Sequence, residues 1–214
     1  MTGAHVLVMA KAPVAGRVKT RLSPPCSLEE AAALAEAALA DTLAAVADSG
    51  ADRRIVALDG VPGPWLPPGF EVVPQCGGPF AGRLAHAWAA AGGPGVQIGM
   101  DTPQVTGARL DEALAALDRT PAALGHAVDG GWWAIGLRRP EPAVFLGVPM
   151  STGRTGRMQE ARLRSLGHDV TRLPDLVDFD TVGDLAAVVR AAPSSRTALV
   201  AAELRLVAAE VAPW

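Results

Sequence analysis

Three groups of residues have types and spacings suited to chemistry. The first is a basic loop, Lys11-Ala12-Pro13-Val14-Ala15-Gly16-Arg17-Val18-Lys19-Thr20-Arg21-Leu22, which places four cations in eleven positions of a chain whose net charge is -3. Arginine forks and lysine point charges at this density, around Gly16, suit a polyanion such as a di- or triphosphate. The second is Asp101, which ends the apolar run Val96-Gln97-Ile98-Gly99-Met100 and is followed by Thr102-Pro103. The third is the pair Asp178/Asp180, spaced i, i+2 ahead of a helical pattern over about 182–191.

One carboxylate at a strand tip and two more before a helix can converge on a hard divalent cation, Mg²⁺ or Mn²⁺. Mg²⁺ commonly takes one or two protein carboxylates together with phosphate oxygens and water. Such an ion neutralises the charge that builds up on a departing pyrophosphate or nucleoside diphosphate. Each acid also has a plainer reading, Asp101 as a cap of the helix after it and Asp178 or Asp180 as N-caps of 182–191. A fourth stretch, Asp129-Gly130-Gly131-Trp132-Trp133, combines glycines that admit close backbone approach with rings able to stack on a sugar or base. Taken alone it reads first as a hairpin turn with core tryptophans.

The elements that must position these residues follow from periodicity. Residues 4–9 predict a first strand and 10–26 a long loop broken by Pro13, Gly16 and Pro24-Pro25. Ser27 with Glu30 is a capping-box signature, opening an Ala/Leu-rich helix to about Val46 or Asp48. Strands are expected at 54–58 and near 70–73, a helix at 80–91, the apolar run before Asp101 as a buried strand, and a helix at 107–118. In the second half, 122–127 and 132–137 read as strands joined through an Asp-Gly turn. A helix at 155–166, a strand at 169–173 and a helix at 182–191 complete the body. The segment 195–211 carries Val200, Leu204, Val207 and Val211 on one stripe, to be packed on the domain or against a second copy in a homodimer. Alternating strands and helices predict an α/β fold with a mainly parallel sheet covered on both sides, and in such sheets ligands sit beyond the strand tips. No repeat or linker divides the 214 residues, and we read a single domain over 1–214.

Composition excludes several classes. The acidic balance gives no reason to expect nucleic acid as the main partner, and no stretch of about 18 apolar residues suggests a membrane span. Cys26 and Cys76 match no zinc spacing and read as free thiols of a reducing compartment, with cytoplasm as the default. His5, His86, His126 and His168 form no metal-binding cluster. The first 28 residues contain no acid, but Val6-Leu7-Val8-Met9 is strand-like and the prolines break any amphipathic helix, so no cleavable signal is expected. The basic loop is not a Walker A loop, because Val18 rather than glycine precedes Lys19-Thr20, and it lacks G-x-G-x-x-G. The P-loop NTPase and dehydrogenase readings lose their main support.

At these residues the sequence resembles the GT-A-like group of small bacterial proteins long filed as a domain of unknown function and often labelled glycosyltransferase-like. The matching pieces are Met9-Ala10-Lys11-Ala12-Pro13 with Gly16 to Leu22, Ala31 to Leu43, Gly99-Met100-Asp101-Thr102-Pro103, Asp129-Gly130-Gly131 through Leu137, and Asp178-Phe179-Asp180-Thr181 with Asp184-Leu185. A more distant likeness is to phospholactate guanylyltransferase-like and molybdenum-cofactor nucleotidyltransferases. The resemblance implies a three-layer α/β/α GT-A fold, the nucleotide-diphospho-sugar transferase fold, with a donor half at about 1–104 and an acceptor half at about 105–192.

It also implies roles. Asp101 would stand for the metal-binding acid of the GT-A Asp-x-Asp motif, with Asp178 and Asp180 as the later acidic pair. Lys11, Arg17, Lys19 and Arg21 would face the phosphates, and Asp129-Gly130-Gly131 would line the acceptor pocket. Asp101, Asp129 and Lys19 are the candidate catalytic residues. Where the family usually carries Gly-Asp-Leu-Gly, this chain has Gly78-Pro79-Phe80-Ala81, and Trp132 and Trp133 replace the usual tyrosines. The expected function is a Mg²⁺- or Mn²⁺-dependent transferase drawing on a nucleoside triphosphate or nucleotide sugar and an unidentified small-molecule acceptor. The alternative is a nucleotide-binding or regulatory protein that keeps the fold without turnover.

Overall fold

The computed structural model describes residues 3–207. The elements of the donor half are β1 (His5–Lys11), α1 (Leu28–Ala47), β2 (Arg53–Asp59), β3 (Glu71–Pro74), α2 (Phe80–Ala91) and β4 (Gly95–Ile98). Those that follow are α3 (Gly107–Arg119), β5 (Ala122–Ala127), β6 (Trp132–Leu137), α4 (Thr155–Ser165), β7 (Val170–Leu176), α5 (Val182–Ala191) and α6 (Arg196–Glu203).

The seven strands form one sheet in the order β3-β2-β1-β4-β6-β5-β7. β1 runs parallel to both β2 and β4, and β5 parallel to β7, while β6 is antiparallel to β4 and β5. The tight turn between β5 and β6 reverses the chain, as the Asp-Gly signal requires. Alternate residues of β1 face opposite layers: Val6, Val8 and Ala10 pack with Leu39 and Leu43 of α1 and Leu110 and Leu117 of α3. Leu7 and Met9 pack with Leu84 and Trp88 of α2, in a layer that also takes Phe145 of the short helical turn Pro142–Phe145 and Leu163 of α4. β1 is buried on both faces, the condition for a central parallel strand. α1 is buried on a second side as well, where Leu34 and Ala38 meet Leu185 and Val188 of α5 and Ala201 of α6.

The predicted capping box is present: Glu30 N–H donates to Ser27 Oγ at 3.1 Å and Ser27 N–H to Glu30 Oε2 at 2.7 Å. Three boundaries differ from expectation. β4 stops at Ile98, so Asp101 stands on the loop beyond the strand, because β6 pairs with β4 only from Gly95 to Ile98. β7 runs on to Leu176 through Pro174, which an edge strand tolerates because one row of its backbone groups is unpaired. α6 ends at Glu203, and its carboxylate clamp lies on α1: Asp41 accepts from Arg196 N–H, Thr197 N–H and Thr197 Oγ1. The stripe residues Val200, Leu204 and Val207 pack on the same intramolecular cluster; Val211 lies outside the described residues. No helix among the described residues is long and apolar enough to cross a membrane.

Candidate active site at the sheet's switch point

The chain passes from β1 outward to β2 and β3, then returns to place β4 on the other side of β1. At such a reversal the loops leaving two neighbouring parallel strands diverge and open a crevice beyond their carboxyl ends. Here the diverging segments are the basic loop after β1 and the Gly99–Pro103 loop after β4. They border a cleft of about 550 Å³, closed on its other side by the β5–β6 turn and the residues before α4. That size suits a nucleotide-scale ligand.

The plainer reading of the three acids fails on geometry. α3 is capped by Thr106, whose side chain accepts from Arg109 N–H, and α5 by Thr181 in a capping box with Asp184. Asp101, Asp178 and Asp180 are therefore left free of capping work, and all three line the cleft. The loop after β4 is tied to the segment before α5 by Phe179 N–H donating to the Asp101 carbonyl at 3.2 Å. That one backbone bond brings acids 77 positions apart in sequence to a common place.

Lys19 sits among them. Its Nζ lies 2.9 Å from Asp101 Oδ1 and 3.1 Å from Asp180 Oδ1, donates to the Phe179 carbonyl, and stands 4.3 Å from the centre of the Phe179 ring. Only 5% of the side chain is exposed. Burial works against its charge, but Asp101 and Asp180 outweigh that and hold its pKa above the usual lysine value. Its backbone is left-handed, at φ 46° and ψ 33°, uncommon for a residue with a Cβ.

Asp178 has the opposite electrostatics. Burial, and then repulsion from Asp101, Asp129 and Asp180 against the partial relief of Lys19, push its carboxyl up to about 8. Its Oδ1 is shielded and has no hydrogen-bond partner among the described residues. Four carboxylates thus face one cleft around a single buried ammonium. An orphaned carboxylate oxygen in an acid-rich cleft fits a divalent cation. Asp101 and Asp178 could hold it: Asp178 has the unpartnered oxygen and Asp101 is paired with Lys19 alone, whereas Asp180 is paired with both Lys19 and Arg21, whose Nη1 lies 2.8 Å from Oδ2. Among the described residues no three His, Cys, Asp or Glu side chains form a group that could by itself hold a metal ion.

The other predicted residues are dispersed. Arg17 and Arg21 line the cleft with side chains 62% and 71% exposed, Arg17 held loosely by Asp59 at 3.5 Å. Lys11 also lines the cleft and is exposed, while Gly16 turns the loop at φ 76° outside the cleft lining. Asp129 and Gly131 line the cleft, with Gly131 N–H donating to Asp129 Oδ1 at 2.7 Å. Gly130 does not line it: a Cβ there would fall 2.2 Å from the Gly153 carbonyl oxygen, so this glycine seats the loop before α4. Trp132 and Trp133 both border the cleft, Trp132 against Phe145 and Trp133 with its ring buried in the core and donating to the Pro174 carbonyl at 2.9 Å.

Residues not foreseen complete the lining. Gln75, the residue after β3, donates to the Ala10 and Ala57 carbonyls at 2.8 Å and accepts from Arg83 at 2.9 Å, setting an arginine of α2 at the cleft edge. Ser151 and Thr152 border it opposite. Their signals were weak: Arg83 lies in a plain helical pattern, and the Gly153/Gly156 spacing carries no known ligand fingerprint.

The sequence profile described as an uncharacterized protein conserved in bacteria (DUF2064) matches residues 30–152, more than half of the chain and inclusive of Asp101 and Asp129. The chain belongs to this family. Among solved structures it is similar to a protein of Desulfovibrio desulfuricans G20, provisionally assigned as a nucleotide-diphospho-sugar transferase, at 28% identity and a TM-score of 0.87 over 96% of both chains. Rv0371c of Mycobacterium tuberculosis H37Rv is similar at 22% identity and a TM-score of 0.56, covering 88% of this chain and 98% of that one. A CMP:2-keto-3-deoxy-manno-octonic acid synthetase solved with CTP shares the fold at 14% identity, with a TM-score of 0.54 over 94% of this chain and all of the other. No curated protein matches the sequence. The DUF2064 chain thus has the expected nucleotide-diphospho-sugar transferase fold, with its acid cluster and basic loop at the switch point.

Proposed function

We propose that the protein is a divalent-metal-dependent transferase that uses a nucleotide-activated donor. The observation that carries this reading is the meeting, between β1 and β4, of one buried ammonium with the carboxylates Asp101, Asp178 and Asp180. The relative from D. desulfuricans supports the donor class, and a structure of Rv0371c with manganese, similar at 23% identity, accords with the metal. Asp101 and Asp178 would hold Mg²⁺ or Mn²⁺, which when bound would neutralise phosphate charge.

The chain's own groups do the remainder. Arg17, Arg21 and Lys11 bind the donor phosphates at the rim, and Lys19 supplies positive charge where the leaving diphosphate or pyrophosphate becomes more negative. Asp129, held by the Gly131 amide, orients the acceptor and takes its proton. Trp132 offers a stacking face on the acceptor side. Glycosyl and nucleotidyl transfer both use these parts, and the product tells them apart: nucleoside diphosphate in the first, pyrophosphate in the second.

Calorimetric titration with nucleoside di- and triphosphates in Mg²⁺ or Mn²⁺ tests the donor site. Metal-dependent binding that Asp101→Ala abolishes is the expected result, and no binding of any nucleotide with either metal would sink the proposal. Binding without release of diphosphate or pyrophosphate across an acceptor panel would point to the regulatory alternative.

A further inference from the structure

The cation in the acid cluster is a lysine in a chain that otherwise relies on arginine. Among 19 lysines and arginines only Lys11 and Lys19 are lysine, and both lie in the loop after β1. An ammonium is a compact charge with three divergent N–H donors, whereas a guanidinium is a planar fork. Lys19 meets three oxygens, those of Asp101, Asp180 and the Phe179 carbonyl. Two carboxylate oxygens and a carbonyl are also the hard donors that Mg²⁺ and Mn²⁺ take. The ammonium is therefore bound as a small metal ion would be, in the acid cluster itself.

We propose that Lys19 is a built-in counter-ion that excludes divalent metal from Asp101 until a polyanionic donor draws the ammonium away, so that metal loads together with the nucleotide and not before it. This rests on the donor-binding reading above. Three observations carry it. A buried charge persists only while it is paired, and with 5% of its side chain exposed Lys19 depends on the oxygens it touches. Phosphate oxygens are an equivalent partner, and Arg17 and Arg21, on the same loop as Lys19, line the cleft as forks suited to phosphate. The residue is also held in a left-handed backbone conformation immediately before the short helical turn Thr20–Leu22, and strained positions of this kind recur at switch segments. Exchanging Asp101 and Asp180 for phosphate lets the loop relax while Asp101, beside the unpartnered Asp178, becomes free for the metal. The protein then avoids holding bare metal, and its metal affinity becomes conditional on substrate.

The test uses Mn²⁺ alone, followed by the loss of its free-ion paramagnetic resonance signal. Wild type is expected to bind weakly, and Lys19→Met and Lys19→Gln at least tenfold more tightly, with no nucleotide present. Should neither variant fold, the wild-type protein decides, because Lys11 is exposed and serves as an internal standard for amine acylation read by mass spectrometry. Lys19 is expected to be protected in metal-free protein and to become reactive over the Mn²⁺ range that fills the site. Unchanged Mn²⁺ affinity in the variants, or a Lys19 that stays protected while the site fills, overturns the proposal. Nucleotide binding by wild type with no gain in the variants removes the counter-ion role and leaves the transferase reading intact. A gain in the variants with no nucleotide bound by any form does the reverse.

Discussion

At the scale of single residues, one neighbourhood moves two pKa values upward: burial first and then the neighbouring carboxylates raise Asp178, while Asp101 and Asp180 raise Lys19 against its burial. Asp178, pushed up to about 8 from an ordinary value of 3.8, binds a proton in the folded protein that the unfolded chain has already released between those limits. Folding stability therefore falls as pH rises from about 4 to 8, and the loss is complete above 8. Asp178→Asn cannot ionise and removes that slope. The variant is expected to match wild type near pH 4 and to exceed it above pH 8 by up to about 6 kcal/mol, measured by urea unfolding at the two ends of the window. A flat difference between pH 4 and 9 would show that Asp178 is ionised throughout. The types of these residues were legible from sequence, but their burial was not. The resemblance marks Lys19 as a candidate catalytic residue among the four loop cations, but its burial under Phe179, against the exposed Arg17 and Arg21, is a fact of packing.

At the scale of elements, helix ends decide which acids are available. Sequence offered Asp101, Asp178 and Asp180 as caps, yet Thr106 and Thr181 hold those positions, one or a few residues along. Asp and Thr cap with comparable strength, so local propensity could not choose between them. α6 is the other case. Its apolar stripe was plain, but whether it faced this chain or a second copy was not. The clamp of Asp41 on Arg196 and Thr197 commits it to α1. Asp41→Ala removes three acceptor contacts at the start of α6 and should cost about 1–2 kcal/mol. Amide exchange is expected to speed up in residues 196–203 and in the α1 face beneath, while β1 and β4 stay protected; equal exchange in both regions would refute a local clamp.

At the scale of the whole molecule, the switch point sets a charge gradient, with arginines at the rim and carboxylates within. Donor affinity should therefore rise with phosphate count, by about tenfold per phosphate from nucleoside mono- to triphosphate in the presence of Mn²⁺. The paired variant Arg17→Ala/Arg21→Ala should flatten that ladder, and raising salt should weaken the triphosphate more than the monophosphate because exposed cations are screened. Equilibrium titrations at low and high ionic strength read both effects.

The sequence by itself determined the elements and their alternation, because hydrophobic period, the Ser27/Glu30 box and the Asp-Gly turn are local signals. It also determined the chemical inventory, a cationic loop early in the chain and three carboxylates later. Only the tertiary structure decided which of these meet. The β1–β4 pairing and the Phe179–Asp101 backbone bond join segments far apart in the chain, and no local pattern encodes their distance. It likewise decided that Gly130 seats a loop, that Gln75 aims Arg83, and that the charge inside the acid cluster is Lys19. Burial and pairing are properties of neighbours in space, and the free energy of a charge depends on those neighbours far more than on its own type.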